Sequence, residues 1–215
     1  ELILWGYVLR LNLPILLNGQ LNGSFLKPDV LQIIGLSLIF TVSIYAMFHY
    51  LKQGLGFVFL GIGLLIFITE PGYVDTTFLS IPKFLAAYLT KANGGVFYLF
   101  PWLGYVSLGA CIAIVFGPQP KQLLMKSMGF VALGLLLVYK SSAFFIWVYD
   151  QTDWMLFRQV AYNNFLFIRL GDIFLLIAGF MALNHIFSKG FWLWIGQKTL
   201  SIYIVHYFIF YGILF

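Results

Sequence analysis

Charge is what this sequence has least of. Only 9% of the residues are Asp, Glu, Lys or Arg, against 62% hydrophobic, with a mean hydropathy of +0.96. Soluble domains carry about 25% charged and about 45–50% apolar residues. A water-soluble globule has no way to bury this much apolar surface, so lipid must be the solvent for most of the chain. Cysteine is nearly absent too. The single Cys111 sits in an apolar run, which excludes a disulfide framework and a thiolate metal cluster. The 12 Lys and Arg against 7 Asp and Glu leave a net charge of +5, but the basic residues stand singly at the ends of apolar runs. No polybasic block or basic groove interleaved with aromatics is present, so nucleic acid is excluded as a partner and the bilayer takes its place. Metalloprotease, phosphate-loop and serine-hydrolase signatures are missing, and the three His are too far apart in sequence to suggest a metal site.

What is abundant is apolar and aromatic, at 20% Phe, Trp and Tyr. A bilayer core of about 30 Å asks for roughly 20 apolar residues per helix. The pattern predicts an all-α polytopic bundle in one domain, 1–215, with about seven spans at 1–17, 30–50, 54–69, 97–117, 122–148, 164–187 and 192–215. The third is short and rich in glycine (Gly54, Gly56, Gly61, Gly63), which favours close packing. Gly104 and Gly109 have the same implication for the fourth. The fifth is expected to break near Lys140-Ser141-Ser142, and 81–89 reads as an interfacial helix in the longest connection.

Orientation follows from the loops. Lys52, Lys121, Lys126, Lys189 and Lys198 lie on one side in short connections or nearby helix ends. Lys27, Lys83, Lys91, Lys140 and Arg158 lie on the other with Asp29, Glu70, Asp75, Asp150 and Asp153. The basic counts tie, five against five, but the short and purely basic connections favour the first side as cytoplasmic.

Few residues offer chemistry. Arg169 and Asp172, at i and i+3 inside an apolar segment, share a helix face. Charges in a membrane are costly and mark a functional site by default, the alternative being a structural ion pair. Thr199, Tyr203 and His206 form a polar stripe expected to face the bundle interior, with His206 either a proton carrier or hydrogen-bonded to a neighbouring helix. His49 and His185 read as interfacial. Asp29, with Gln32 on the same face, is placed to cap the second segment. Trp102 follows Pro101 at the start of the fourth, where proline suits a first turn and tryptophan an interface.

Three stretches carry a resemblance. Asp29-Val30-Leu31-Gln32-Ile33-Ile34-Gly35-Leu36, Phe100-Pro101-Trp102-Leu103-Gly104-Tyr105-Val106-Ser107-Leu108-Gly109, and Trp194 through His206 (Trp-Ile-Gly-Gln-Lys-Thr-Leu-Ser-Ile-Tyr-Ile-Val-His) together resemble the heparan-α-glucosaminide N-acetyltransferase-like family. That family is part of the wider transmembrane acyltransferase superfamily. Ile33 and Gln197 depart from its pattern, which has a basic residue and a small polar one there. The resemblance implies an acyltransferase of the bacterial inner membrane, using acetyl-CoA or another acyl-CoA as co-substrate and holding no permanent cofactor. The acceptor would be an extracytoplasmic glycan or a lipid-linked sugar.

The resemblance also implies at least two preceding helices and a catalytic histidine upstream of residue 1, so none is assigned within the chain. The chain starts at Glu1, without Met, and both ends fall in apolar runs, which reads as a piece of a longer protein. Gln32, Trp102, Arg169, Asp172, Tyr203 and His206 become candidates to line the site, and Lys121, Lys126 and Lys198 to meet the CoA phosphates. The alternatives are a noncatalytic subunit on the same scaffold, partnered by other membrane subunits, and a transporter using Arg169, Asp172 and His206 as a polar pathway.

Overall fold

A computed structural model describes residues 1–11, 16–20, 25–51, 54–95, 97–117, 123–184 and 190–211. Among these the chain is helical, with no strand. In order the helices are α1 (Leu2–Leu9), α2 (Val30–Phe48), α3 (Leu55–Ile68), α4 (Glu70–Tyr73), α5 (Lys83–Leu89), α6 (Leu99–Phe116), α7 (Leu123–Thr152), α8 (Met155–Tyr162), α9 (Phe165–Ala182), α10 (Gly190–Gln197) and α11 (Thr199–Tyr211), with 3₁₀ turns at His49–Leu51 and Lys91–Asn93. Four of them, α2, α6, α7 and α9, are long and apolar enough to cross a membrane. The others are shorter than the sequence pattern suggests: α3 has 14 residues and α1 has 8. The expected span over 192–215 is divided at Lys198 between α10 and α11.

The expected break near Lys140 does not occur. α7 runs unbroken for 30 residues, about 45 Å at 1.5 Å per residue. Lys-Ser-Ser looks like a connection by composition, but Ser141 donates its hydroxyl to the Leu137 carbonyl one turn back. Asn164 of α9 donates to both Ser141 (2.6 Å) and Ser142 (2.8 Å). The serines are thus satisfied within helical structure.

Two antiparallel pairs form the core, and small residues set their register. Along α7, Ser127, Gly134 and Ser141 recur every seven residues and are buried. Facing them on α9 are Ala178, Gly171 and Asn164 at the same interval. Ser127 donates to the Ala178 carbonyl at 3.1 Å, and a Cβ on Gly134 would lie 2.9 Å from the Gly171 carbonyl oxygen. A seven-residue repeat of small side chains keeps one helix seated on the other along two turns per step. α3 and α6 use the same device. A Cβ on Gly63 would meet Leu108 at 2.6 Å, one on Gly56 would meet Val115 at 3.2 Å, and one on Gly104 would strike the Phe67 ring. Gly61 and Gly109, expected from the sequence to matter equally, face open space.

Phe67 joins the pairs: its ring lies 4.7 Å from Tyr105 of α6 and 5.5 Å from Phe167 of α9, both edge-on. The geometry suits the aromatic quadrupoles. α2 packs on α6, and α1 on α2. α8 lies beside α7 and also meets α4 and α3, with Arg158 over the rings of Tyr149 (5.6 Å) and Tyr162 (5.8 Å). Phe100 is not helical in φ and ψ, so the regular part of α6 starts at Pro101.

Candidate functional site at the acidic end

The antiparallel order gathers most acidic residues at one end of the bundle. Asp29 opens α2, Glu70 and Asp75 follow α3, and Asp150 and Asp153 close α7. Lys126 lies at the opposite end, at the start of α7, and Lys198 stands between α10 and α11.

At the acidic end, Asp29 and Gln32 build a complete capping box on α2. The Asp29 carboxylate accepts from Val30 N at 2.8 Å, and Gln32 Oε1 accepts from Asp29 N at 3.0 Å. Gln32 is fully buried, packed where Gly6 of α1 leaves room for its amide. Its role is therefore structural in the first place. Arg10, at the end of α1, stands 3.5 Å from Asp29, with both side chains nearly buried. Arg10 ends an apolar segment, and an ionisable residue in such a place is itself the sequence signal for this pair.

Glu70 opens the short helix α4. It is 5% exposed, beside Asn163, whose amide donates to it at 3.5 Å. Burial raises its pKa above the usual carboxyl value, the nearby Asp75 charge raises it further, and the Asn163 hydrogen bond opposes both. Tyr73 shares this environment; burial, then Glu70, push its phenol upward. Within 76–93, Asn93 donates to the Thr76 carbonyl (3.1 Å) and Thr90 Oγ1 (2.6 Å) and accepts from Phe78 N (3.0 Å). The helix expected at 81–89 is present as α5.

Arg169 and Asp172 meet as the i, i+3 spacing predicts, at 3.8 Å, on the outer face of α9 with 69% and 46% side-chain exposure. They stand at the head of an open groove of about 620 Å³ that continues along α9 past Leu176 to Leu183. Tyr105 is within electrostatic range of both charges. Its hydroxyl donates to the Leu166 carbonyl at 3.1 Å, and its ring lies 5.7 Å from that of Trp102, which is itself 6.3 Å from Phe97. Tyr105, with Trp102 beside it, thus ties α6 to α9 at Leu166, one turn before Arg169, a link that the sequence did not reveal.

The remaining candidates are elsewhere. Lys126 donates to the Phe116 carbonyl at 2.6 Å and lies over the Phe116 ring, which satisfies the end of α6. Lys121 and His185 lie outside the described residues. Lys198 and His206 share a second, smaller groove with Trp194 and Ser201. The stripe of Thr199, Tyr203 and His206 lies on the outside of the described bundle and not in its interior, since Thr199 and His206 are exposed and Tyr203 is only half-buried. His206 Nδ1 is 3.1 Å from the Tyr203 carbonyl oxygen of its own helix, and the two rings meet edge-on at 5.5 Å. His49 similarly turns back to the Ala46 carbonyl at 2.7 Å. Among the described residues no three His, Cys, Asp or Glu come together in a way that could hold a metal.

No family model, curated protein or solved structure matches the chain.

Proposed function

We propose that the chain is the membrane-embedded part of an acyltransferase of the bacterial cytoplasmic membrane. It would move an acetyl or other acyl group from cytosolic acyl-CoA to a glycan or lipid-linked sugar on the far side. In this reading about seven segments cross the bilayer, the Lys126 and Lys198 end faces the cytosol and the Glu70 end faces outward. The observation that carries it is the convergence of Trp102 and Tyr105, from the second family-like stretch, with the intramembrane Arg169–Asp172 pair. An aromatic face beside a guanidinium and a carboxylate suits a sugar, whose C–H face stacks on rings while its hydroxyls both donate and accept.

The chemistry is the attack of an acceptor oxygen or nitrogen on the thioester carbonyl. The C–S bond breaks, the CoA thiolate leaves and takes up a proton, and a base removes the proton of the acceptor. No base is assigned among the residues described here; the groove binds and orients the acceptor.

The test is acetyl transfer to glycosides by the full-length protein in membrane vesicles. Removing a hydrogen bond to a charged group costs about 1.5–3 kcal/mol. Asp172→Asn and Trp102→Ala should therefore each lower kcat/KM for the glycoside about tenfold or more. Transfer that both variants leave at the wild-type rate would remove the site, and absence of both acyl-CoA binding and transfer would favour a noncatalytic subunit.

A further inference from the structure

α8 is an eight-residue helix set between two joints. It follows Asp153, a non-glycine residue at φ 53°, in the left-handed region. It ends at Asn163, where φ −110° and ψ 47° interrupt the helical path into α9. Asp and Asn tolerate such conformations better than most residues. Phe157, stacked on Phe145 at 6.3 Å, keeps the helix on α7. Only Val160 and Ala161 of its residues are buried, and both belong to the last turn, next to Asn163. α8 also meets α4 and α3, and the Asn163 amide donates to Glu70 at 3.5 Å. The end of α8 is thus held by two modest apolar side chains and one long hydrogen bond, beside a carboxyl group that is itself buried. Contacts with so little buried apolar surface are among the first in a protein to open.

We propose that α4 and the last turn of α8 form a pH-sensitive latch over Glu70, closed while the carboxyl is protonated and opened at the Asn163 joint when it ionises. Among the described residues no cation pairs with Glu70. On its own side it faces Tyr73 and the Asp75 carboxylate, and from the segment before α6 it faces Tyr98. α8 carries one cation, Arg158, whose guanidinium lies over the Tyr149 and Tyr162 rings. Asp153 precedes the opposite end of α8, about 12 Å away along the helix axis. Asn163 is left as the hydrogen-bond partner, and a single bond of 3.5 Å does not offset the burial of a charge. The carboxyl group can take up a proton, or the cover can part and let water in. Burial and Asp75 both raise the pKa of the closed form. The closed form therefore binds its proton more tightly than the open one. Closure is strongest below 4.5, the ordinary carboxyl value, and weakens as pH rises through the closed-form value. The latch does not depend on the acyltransferase reading, and it answers to the pH on the side of the membrane where α4 and α8 lie.

The experiment uses full-length protein in phosphatidylcholine nanodiscs, where both membrane faces meet the same buffer. Ala161→Cys, in a Cys111→Ser background, is buried while the latch is closed. Its rate of reaction with a water-soluble thiol reagent is divided by that of Gln159→Cys, exposed on the same helix, which removes the pH dependence common to thiols. The ratio should rise about threefold or more from pH 4.5 to pH 8. Glu70→Gln, neutral throughout, should hold the ratio at its low acid value. Asp75→Asn removes a like charge from an exposed position, so its rise should be smaller than that of wild type, which a purely structural contact would not produce. A wild-type ratio that stays flat would overturn the proposal, as would a rise that persists in Glu70→Gln. If Glu70→Gln labels fast at every pH because its helix no longer seats, Asp75→Asn decides: a reduced rise supports the latch and an unchanged one overturns it.

Discussion

The α7–α9 seam and α11 are both apolar helical structure, yet among the described residues only the first has buried side chains. On the seam, Ser127, Gly134 and Ser141 meet Ala178, Gly171 and Asn164, and each is buried or at a close approach. α11 reads Thr-Leu-Ser-Ile-Tyr-Ile-Val-His-Tyr-Phe-Ile-Phe-Tyr, with no glycine or alanine, and no residue from Thr199 to Phe210 is buried. In lipid, apolar side chains gain nothing from leaving acyl tails for one another, so hydropathy does not decide which helices associate. Small residues do, because they let backbones approach and let dispersion contacts and short hydrogen bonds form. Hydropathy alone ranks these segments nearly equal; the interval of small residues separates them.

The sharpest way to break this comparison is to fill the seam. Gly171→Leu would drive a side chain against the Gly134 carbonyl oxygen, only 2.8 Å from a Cβ placed there. Overpacking typically costs 1–3 kcal/mol, and a rigid backbone places this site near about 3 kcal/mol. Reversible unfolding in mixed micelles should show the loss. The matched change Gly196→Leu in α10, where a Cβ meets nothing within 4 Å, should stay within about 0.5 kcal/mol. Equal costs at both positions would mean that the seam is not what holds α9.

A smaller effect is expected at Asn164, whose amide bridges Ser141 and Ser142. Polar contacts between membrane helices are worth about 0.6 kcal/mol on average and at most about 1.7. Asn164→Ala should fall in the upper part of that range, because two bonds are lost. His206→Ala, whose ring bonds only within α11, should cost less than Asn164→Ala in the same assay.

The smallest stability effect is the most specific in pH. Glu70 has its carboxyl pKa raised by burial and by Asp75. A raised folded-state pKa makes a contribution that is fully present below the unfolded value, 4.5, and is lost as pH rises through the folded value. Wild-type stability should therefore decline with rising pH over that window. Glu70→Gln, which keeps the amide-like shape and cannot ionise, should flatten the decline. A Glu70→Gln profile parallel to wild type would place the pH dependence elsewhere.

The helices were legible where apolar runs were long: the spans at 30–50, 97–117 and 164–187 hold α2, α6 and α9. Asp29 as a cap was legible because proline precedes it and a polar residue follows at N3. The i, i+3 contact of Arg169 and Asp172 was legible from spacing alone. What composition concealed was continuity. Lys140-Ser141-Ser142 looks like a connection but continues a helix, because its partner Asn164 is 22–23 residues distant. Gln197-Lys198-Thr199 looks like the interior of a span but divides two helices. Glu70 and Asn163 are 93 residues apart, and only the fold makes a buried site of them. Tyr105 lies inside a quoted family-like stretch, yet its place between Trp102 and the charged pair depends on how α6 meets α9.

Sidedness is the most direct test of the account as a whole, since it requires the two ends of the bundle to serve different substrates. Full-length protein in sealed vesicles of known orientation can be given radiolabelled acetyl-CoA on one side and an impermeant glucoside on the other. Transfer should occur only when acetyl-CoA is on the Lys198 side and the acceptor on the Asp75 side, with side chains assigned by impermeant thiol labelling of Lys198→Cys and Asp75→Cys in a Cys111→Ser background. Transfer with both substrates confined to one side, or with the two sides exchanged, would contradict the account.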